Sequence, residues 1–283
     1  MAVEFWRSNL VRNSLHKRIV TGIVLVAIIT VAVISSDAVF LVLLLLINQL
    51  ALMEYQNLIH HKTPSLQKIV MQLTGAILII AVWLICKKIL SVSILLLVPA
   101  IVPFFFSVEL FRQKHNPFQN VALSLLGVAW ISMSLSLFLF SVYLPFQSNG
   151  YHPFIALGYF TILWMSDTGA FLSGKVFGNH KLFERISPHK TWEGFAGGLL
   201  FAGFAGYLCF RLFSELNSSQ WLLLSMVIYG TGTFGDFTKS MLKRSIGVKD
   251  SGTLLPGHGG VLDRFDTLVG SAPFAFLYLF FYA

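Results

Sequence analysis

The chain is dominated by a succession of apolar runs, each close to the length that crosses a lipid bilayer. A helix needs about 20 apolar residues to span the hydrocarbon core. Stretches at 18–35, 38–53, 69–86, 89–108, 121–144, 153–173, 194–213, 220–235 and 267–282 meet or approach that length. The second and eighth read as short, and Asp37 makes a tight break between the first two. The expected fold is an all-α, polytopic integral membrane protein of about nine transmembrane helices. Composition agrees, with 56% hydrophobic and 11% charged residues, where soluble domains carry about a quarter charged. A secreted disulfide scaffold, a disordered chain and an ordinary cytosolic enzyme are excluded. Cys86 and Cys209 both lie within apolar runs, where a thiol behaves as a small hydrophobe.

Cytoplasmic loops retain positive charge. With the N-terminus placed in the cytoplasm, every Lys and Arg of the 20 except Lys87, Lys88 and Arg211 falls on the cytoplasmic side. The net charge of +8 therefore reads as loop-borne charge at a membrane, with no nucleic-acid partner implied. Arg12, Lys17 and Arg18 resemble the start of a signal peptide, but Ile19–Ile34 is long and no A-x-A site follows, so a retained first span is expected. Residues 1–17 place Val3, Trp6 and Leu10 on one helical face, as in an interfacial helix on anionic lipid; a frayed terminus is the plain alternative. Residues 18–152 read as a transmembrane scaffold of about five helices, and 153–283 as a catalytic transmembrane region.

From Trp164 onward polar residues invade the span ends, and Asp167, Glu184, Glu193, Asp236, Asp250, Asp263 and Asp266 all lie here. Ionisable residues at membrane depth are costly and face a wet cavity or a partner. The first polar segment is Ser166-Asp167-Thr168-Gly169-Ala170-Phe171, followed by Gly174-Lys175 and Ile186–Gly194. Lys190 and Thr191 at the mouth of a helix suit an anionic ligand. Taken alone, that stretch reads more simply as a helix start capped by Thr191 or Ser187, with Glu193 in the first turn.

In the second segment, Gly235–Ser240 and then Lys243-Arg244, the residues Asp236, Lys239, Ser240 and Lys243 share a helix face. Simple pairing of Asp236 with Lys239 is the bland alternative; against it stands position, since an ionisable residue at the lipid boundary is by default a functional candidate. The third segment, Lys249–Asp266, is the densest. Its glycines allow close approach of backbone to a ligand. If the last helix begins near Leu262, Asp263 and Asp266 stand on one face at its cytoplasmic end. Carboxylates beside several Lys and Arg suit a divalent metal holding a polyphosphate, since Mg2+ needs only one or two carboxylates plus phosphate oxygens. His258 has no second His or Cys at zinc-ligand spacing and reads as a hydrogen-bond donor or loop-shaping residue. P-loop, zincin and G-x-S-x-G motifs are absent.

Ser240-Met241-Leu242-Lys243-Arg244, then Lys249-Asp250, then Leu255–Asp266 as L-P-G-H-G-G-V-L-D-R-F-D resembles the signature of the phosphatidate cytidylyltransferase family, the CDP-diacylglycerol synthases. The upstream S-D-T-G-A-F and I-S-P-x-K-T-W-E-G elements are similar to that family too, so the resemblance covers about residues 164–268, with the signature region at 236–266. Two positions depart from the pattern: His189 stands where the family has a basic residue in S-P-K-K-T, and Lys239 where it often has an acidic one. The resemblance implies transfer of a cytidylyl group from CTP to phosphatidic acid, giving CDP-diacylglycerol and pyrophosphate, with Mg2+ and, in the family, a monovalent cation such as K+. It implies metal binding by Asp236 and Asp263, with Asp250, Asp266 or Asp167 as outer or second-metal ligands. Lys243, Arg244, Lys249 and Arg264 would bind phosphates, Lys175, Lys190 and Thr191 the opposite wall, and Gly257, His258, Gly259 and Gly260 would admit the nucleotide. It further implies a homodimer, and an active site facing the cytoplasm from the inner (cytoplasmic) membrane.

Rival readings are a CTP-dependent lipid kinase, a cytidylyltransferase for an isoprenoid lipid, and an ion-coupled transporter. The transporter fits poorly, because such folds commonly repeat their polar breaks in both halves, and here they crowd the second half.

Overall fold

The computed structural model describes residues 20–59, 65–112, 116–144, 150–248, 252 and 259–282, and nearly all of them are helical. The helices are α1 (Val20–Ser35), then α2 (Asp37–Ile59), α3 (Ser65–Cys86), α4 (Ile101–Arg112), α5 (Pro117–Gly127) and α6 (Met133–Ser141). After these come α7 (Pro153–Phe177), a hairpin of β1 (Lys181–Phe183) and β2 (Ser187–Thr191), α8 (Trp192–Leu212), α9 (Ser218–Ser245) and α10 (Leu262–Tyr282). A 3-10 stretch, Val92–Ala100, leads into α4, and a π turn, Val128–Ser132, joins α5 to α6.

Seven stretches among the described residues are long and apolar enough to cross a membrane: α2, most of α3, Val92–Arg112, Pro117–Ser141, α7, α8 and α10. The chain is a polytopic, almost entirely helical membrane protein. The two other expected stretches coincide with α1, which is apolar but shorter, and with α9, which is 28 residues long and carries Asp236, Lys239, Lys243 and Arg244. The stretch expected to be short, 38–53, is in fact the 23-residue α2. Asn48, Glu54 and Gln56 broke its apolar pattern, yet all three are buried within the helix.

Buried polar side chains join helices across the bundle. Tyr159 and Ser271 share a 2.6 Å hydrogen bond, Ser132 donates to Asn48 at 2.7 Å, and the Tyr55 hydroxyl donates to the Leu123 carbonyl at 3.0 Å. Without water, such bonds and close van der Waals packing hold helices together. At the α9–α10 seam a Cβ on Gly235 would stand 2.6 Å from the Gly270 Cα, so two bare backbones meet there.

Mutual contacts gather the C-terminal ends of α2, α7 and α9 and the N-terminal ends of α3, α8 and α10 at one end of the bundle. At the other end Asp37 accepts from Tyr143 at 2.7 Å and Trp83 at 3.3 Å and pairs with Lys87. Lys87, Lys88 and Arg211 mark that far end; every other Lys and Arg among the described residues lies at the first end.

The hairpin is an exception to the all-α expectation, which treated Ile186–Gly194 as a loop. Lys181 pairs with Thr191 and Phe183 with Ser187 in antiparallel register. Strands this short, one containing Pro188, leave too little alternation to be read from sequence. The capped helix start is as expected: Thr191 accepts from the Gly194 N–H at 3.1 Å, and Glu193 occupies the first turn of α8.

Candidate active site

At the end of the bundle where the positive charge collects, α7, the hairpin, α8, α9 and α10 surround a cavity of about 620 Å³. Asp167, Lys175, Lys190, Thr191, Asp236, Asp263 and Asp266 all line it, so one hollow gathers residues spread over a hundred positions. Helix geometry explains the convergence. Asp236 and Lys239 lie three apart near the end of α9, and Asp263 and Asp266 lie three apart in the opening turns of α10, facing them across the glycine seam.

The charges interlock. Lys239 Nζ lies 3.1 Å from Asp236 and 3.2 Å from Asp263, and closer still to Asp266. Lys190 reaches Asp236 at 2.5 Å from the hairpin, its ammonium 4.8 Å from the centre of the Phe237 ring. Lys243 donates to Asp263 at 2.9 Å. Thr267 donates to the second oxygen of Asp266 from its backbone N–H at 2.7 Å and its hydroxyl at 3.2 Å. Asp167 opens onto the same cavity, within coulombic reach of Lys190, Asp236, Arg264 and Lys239.

Oxygen donors of this hardness are the kind Mg2+ takes. Their disposition is another matter. Both oxygens of Asp236 meet lysine ammoniums, Asp263 shares one oxygen between Lys239 and Lys243, and Asp266 is held by Lys239 and Thr267. Among the described residues no group of three His, Cys, Asp or Glu is arranged to hold a metal ion. As they stand, these carboxylates do not fit a preformed metal cage.

Not every expected site residue is in the hollow. Arg244 and Arg264 are exposed at the same end but do not line the cavity. Gly259, with φ of 81°, and Gly260, whose N–H reaches Asp263 at 3.4 Å, sit beside the start of α10. Lys249, Asp250, Gly257 and His258 lie outside the described residues, as do residues 1–17 with their expected interfacial helix.

The sequence reading understated one contributor and missed another. Lys239 figures in the sequence as a helix-face neighbour of Asp236 and as a departure from a family pattern; that pairing is present, and Lys239 is in addition the hub of the cluster through Asp263 and Asp266. Glu54, from what read as plain scaffold, is 2% exposed and accepts from the N–H groups of Val261 and Leu262, each at 2.8 Å. These are unsatisfied donors at the N-terminus of α10, and a carboxylate there also meets the positive end of the helix dipole. Gly252 packs against Glu54 so closely that a Cβ would stand 2.8 Å from its oxygen. The one available signal was a lone carboxylate at the end of an apolar run.

The chain's similarities agree with this arrangement. It is 38% identical over 169 residues to a phosphatidate cytidylyltransferase of Staphylococcus aureus (strain COL), a match covering 59% of this chain and 62% of that protein. A phosphatidate cytidylyltransferase of Staphylococcus saprophyticus is 34% identical over 189 residues, 66% of each chain. One of Haemophilus influenzae is 38% identical over 164 residues, 52% of this chain and 57% of that one. The matches thus span a little under two thirds of these relatives' lengths. A model of the cytidylyltransferase family matches residues 16–282, all but the edges of the chain, and on that match the chain belongs to the cytidylyltransferase family.

Proposed function

We propose that this protein transfers a cytidylyl group from CTP to phosphatidic acid, releasing pyrophosphate and leaving CDP-diacylglycerol in the membrane. The observation that carries the reading is the position of the cavity: lysines and carboxylates meet in a hollow at one end of an apolar bundle. A lipid phosphate and a water-borne nucleotide can both reach such a place. Phe171 lines the cavity and is 67% exposed on the outer face of α7, which supports entry of acyl chains from the bilayer side. The abundance of Lys and Arg at this end supports a cytoplasmic orientation, in the cytoplasmic membrane.

The chemistry asks for charge control more than for a base. A phosphatidate oxygen, already ionised at neutral pH, attacks the α-phosphorus of CTP; the bond from that phosphorus to the bridging β-phosphate oxygen breaks, and pyrophosphate leaves with the electron pair. Lys190, on the cavity wall, and Lys243, which does not line the cavity but pairs with Asp263 at its edge, would draw in the triphosphate. Lys175 and Thr191 on the opposite wall would position the lipid phosphate. Holding both anions in line removes much of the barrier, and fixed ammoniums stabilise the charge that develops on the leaving group. Mg2+ is the proposed cofactor, and what it would supply is further neutralisation of the triphosphate.

The test is transfer of label by the purified full chain in mixed micelles with phosphatidate and Mg2+. Label from the α-phosphate of CTP is expected in the lipid, with one pyrophosphate per lipid product. Label entering lipid from the γ-phosphate would make the protein a lipid kinase, and no lipid label from either would overturn the reading.

A further inference from the structure

We propose that Lys239 is a built-in cation of the carboxylate cluster, so that the chain alone holds no divalent ion there and takes one up only together with the nucleotide's phosphates. The inference rests on the proposed reaction for the identity of the nucleotide, and on the geometry for the rest. Lys239 is 5% exposed, and its ammonium stands where Asp236, Asp263 and Asp266, from two helices, converge. A cation placed among those three carboxylates would have to share their centre with a fixed positive charge. With Lys190 and Lys243 on the flanks, three ammoniums already face three carboxylates.

The three lysines are not equally fixed. The Lys239 side chain is 6% exposed and that of Lys243 13%, whereas Lys190, on the hairpin, is 35% exposed. Arriving phosphate oxygens can therefore draw Lys190 aside, which uncovers one oxygen of Asp236 while Lys239 stays in place. A divalent ion carried on the triphosphate then finds a protein ligand that was paired before the nucleotide came. Binding of metal and nucleotide becomes mutually dependent, and such coupling is reciprocal.

Mn2+ is the probe, read by its electron paramagnetic resonance on the full chain in detergent. The unsubstituted protein is expected to bind no stoichiometric Mn2+ alone and to bind it when CTP is added beyond what CTP itself sequesters. Lys239→Met, which keeps the bulk and removes the charge, is expected to bind Mn2+ without nucleotide at least about tenfold more tightly than the unsubstituted chain, the factor that about 1.4 kcal/mol of lifted repulsion supplies. Lys239→Arg, which keeps the charge, is expected to show no such gain. Stoichiometric nucleotide-free binding by the unsubstituted chain would overturn the proposal, and so would a folded Lys239→Met chain that binds no better. Should that variant not fold, Lys239→Gln and the unsubstituted chain decide by the same criteria. Failure of the cytidylyl reaction would appear separately, as unlabelled lipid.

Discussion

Glu54→Ala should damage the site from a distance, although residue 54 lies outside the cavity lining. Its carboxylate accepts two hydrogen bonds of 2.8 Å from Val261 and Leu262, in a place with almost no access to solvent. Alanine would leave both N–H groups buried without that acceptor, at a cost of about 1–3 kcal/mol each, so roughly 2–6 kcal/mol in all. Glutamine keeps one acceptor oxygen and turns an amide donor toward the other N–H, so about half that loss is expected. Because Asp263 and Asp266 ride on the first turns of α10, a shift of that end moves them both. A misplacement of about 1 Å can cost on the order of 10²-fold in rate, and alanine should show a fall of that order. The assays are initial rate of lipid labelling from CTP and thermal unfolding, both in the same nanodiscs. Glu54→Ala with unchanged unfolding and unchanged turnover would refute the capping argument. A stability loss with full turnover would refute its link to the carboxylates.

Asp263→Asn should lower turnover by about 10²–10³-fold, as expected when a group organising transition-state charge is lost, while the chain still inserts and folds; near-normal rates at saturating Mg2+ would remove Asp263 from the site. Gly235→Ala should force α9 and α10 apart, costing about 1–3 kcal/mol through overpacking, and an unchanged melting temperature would show that the seam yields freely. Tyr159→Phe removes the hydroxyl partner of Ser271 and should cost only about 0.6 kcal/mol, the average for such bonds in a bilayer, with turnover unaltered; a large loss of activity would give that pair a role beyond packing.

The helical membrane fold was legible because apolar runs of this length permit little else, and the signature region was legible because charges at membrane depth are costly enough to stand out. Asp236, Asp263 and Asp266 announced themselves in this way. What could not be read was partnership across the fold. Lys239 shows in sequence only as a neighbour of Asp236 at helical spacing; its contact with Asp266 depends on the packing of α9 against α10. Glu54 bonds backbone groups 207 and 208 positions away, and backbone N–H groups carry no residue identity for a reader to match. The hairpin escaped because β1 spans three residues and β2 five, too few for a period to emerge.

The tie from Glu54 to α10 also bears on how small such a transferase can be made. A fragment starting at Pro153 would retain every described carboxylate and lysine of the hollow, yet its final helix would begin without the acceptor that fixes its entry angle. Minimal versions cut at that point should need a substitute acid, supplied by a neighbouring loop or a designed segment, before their aspartates point the right way.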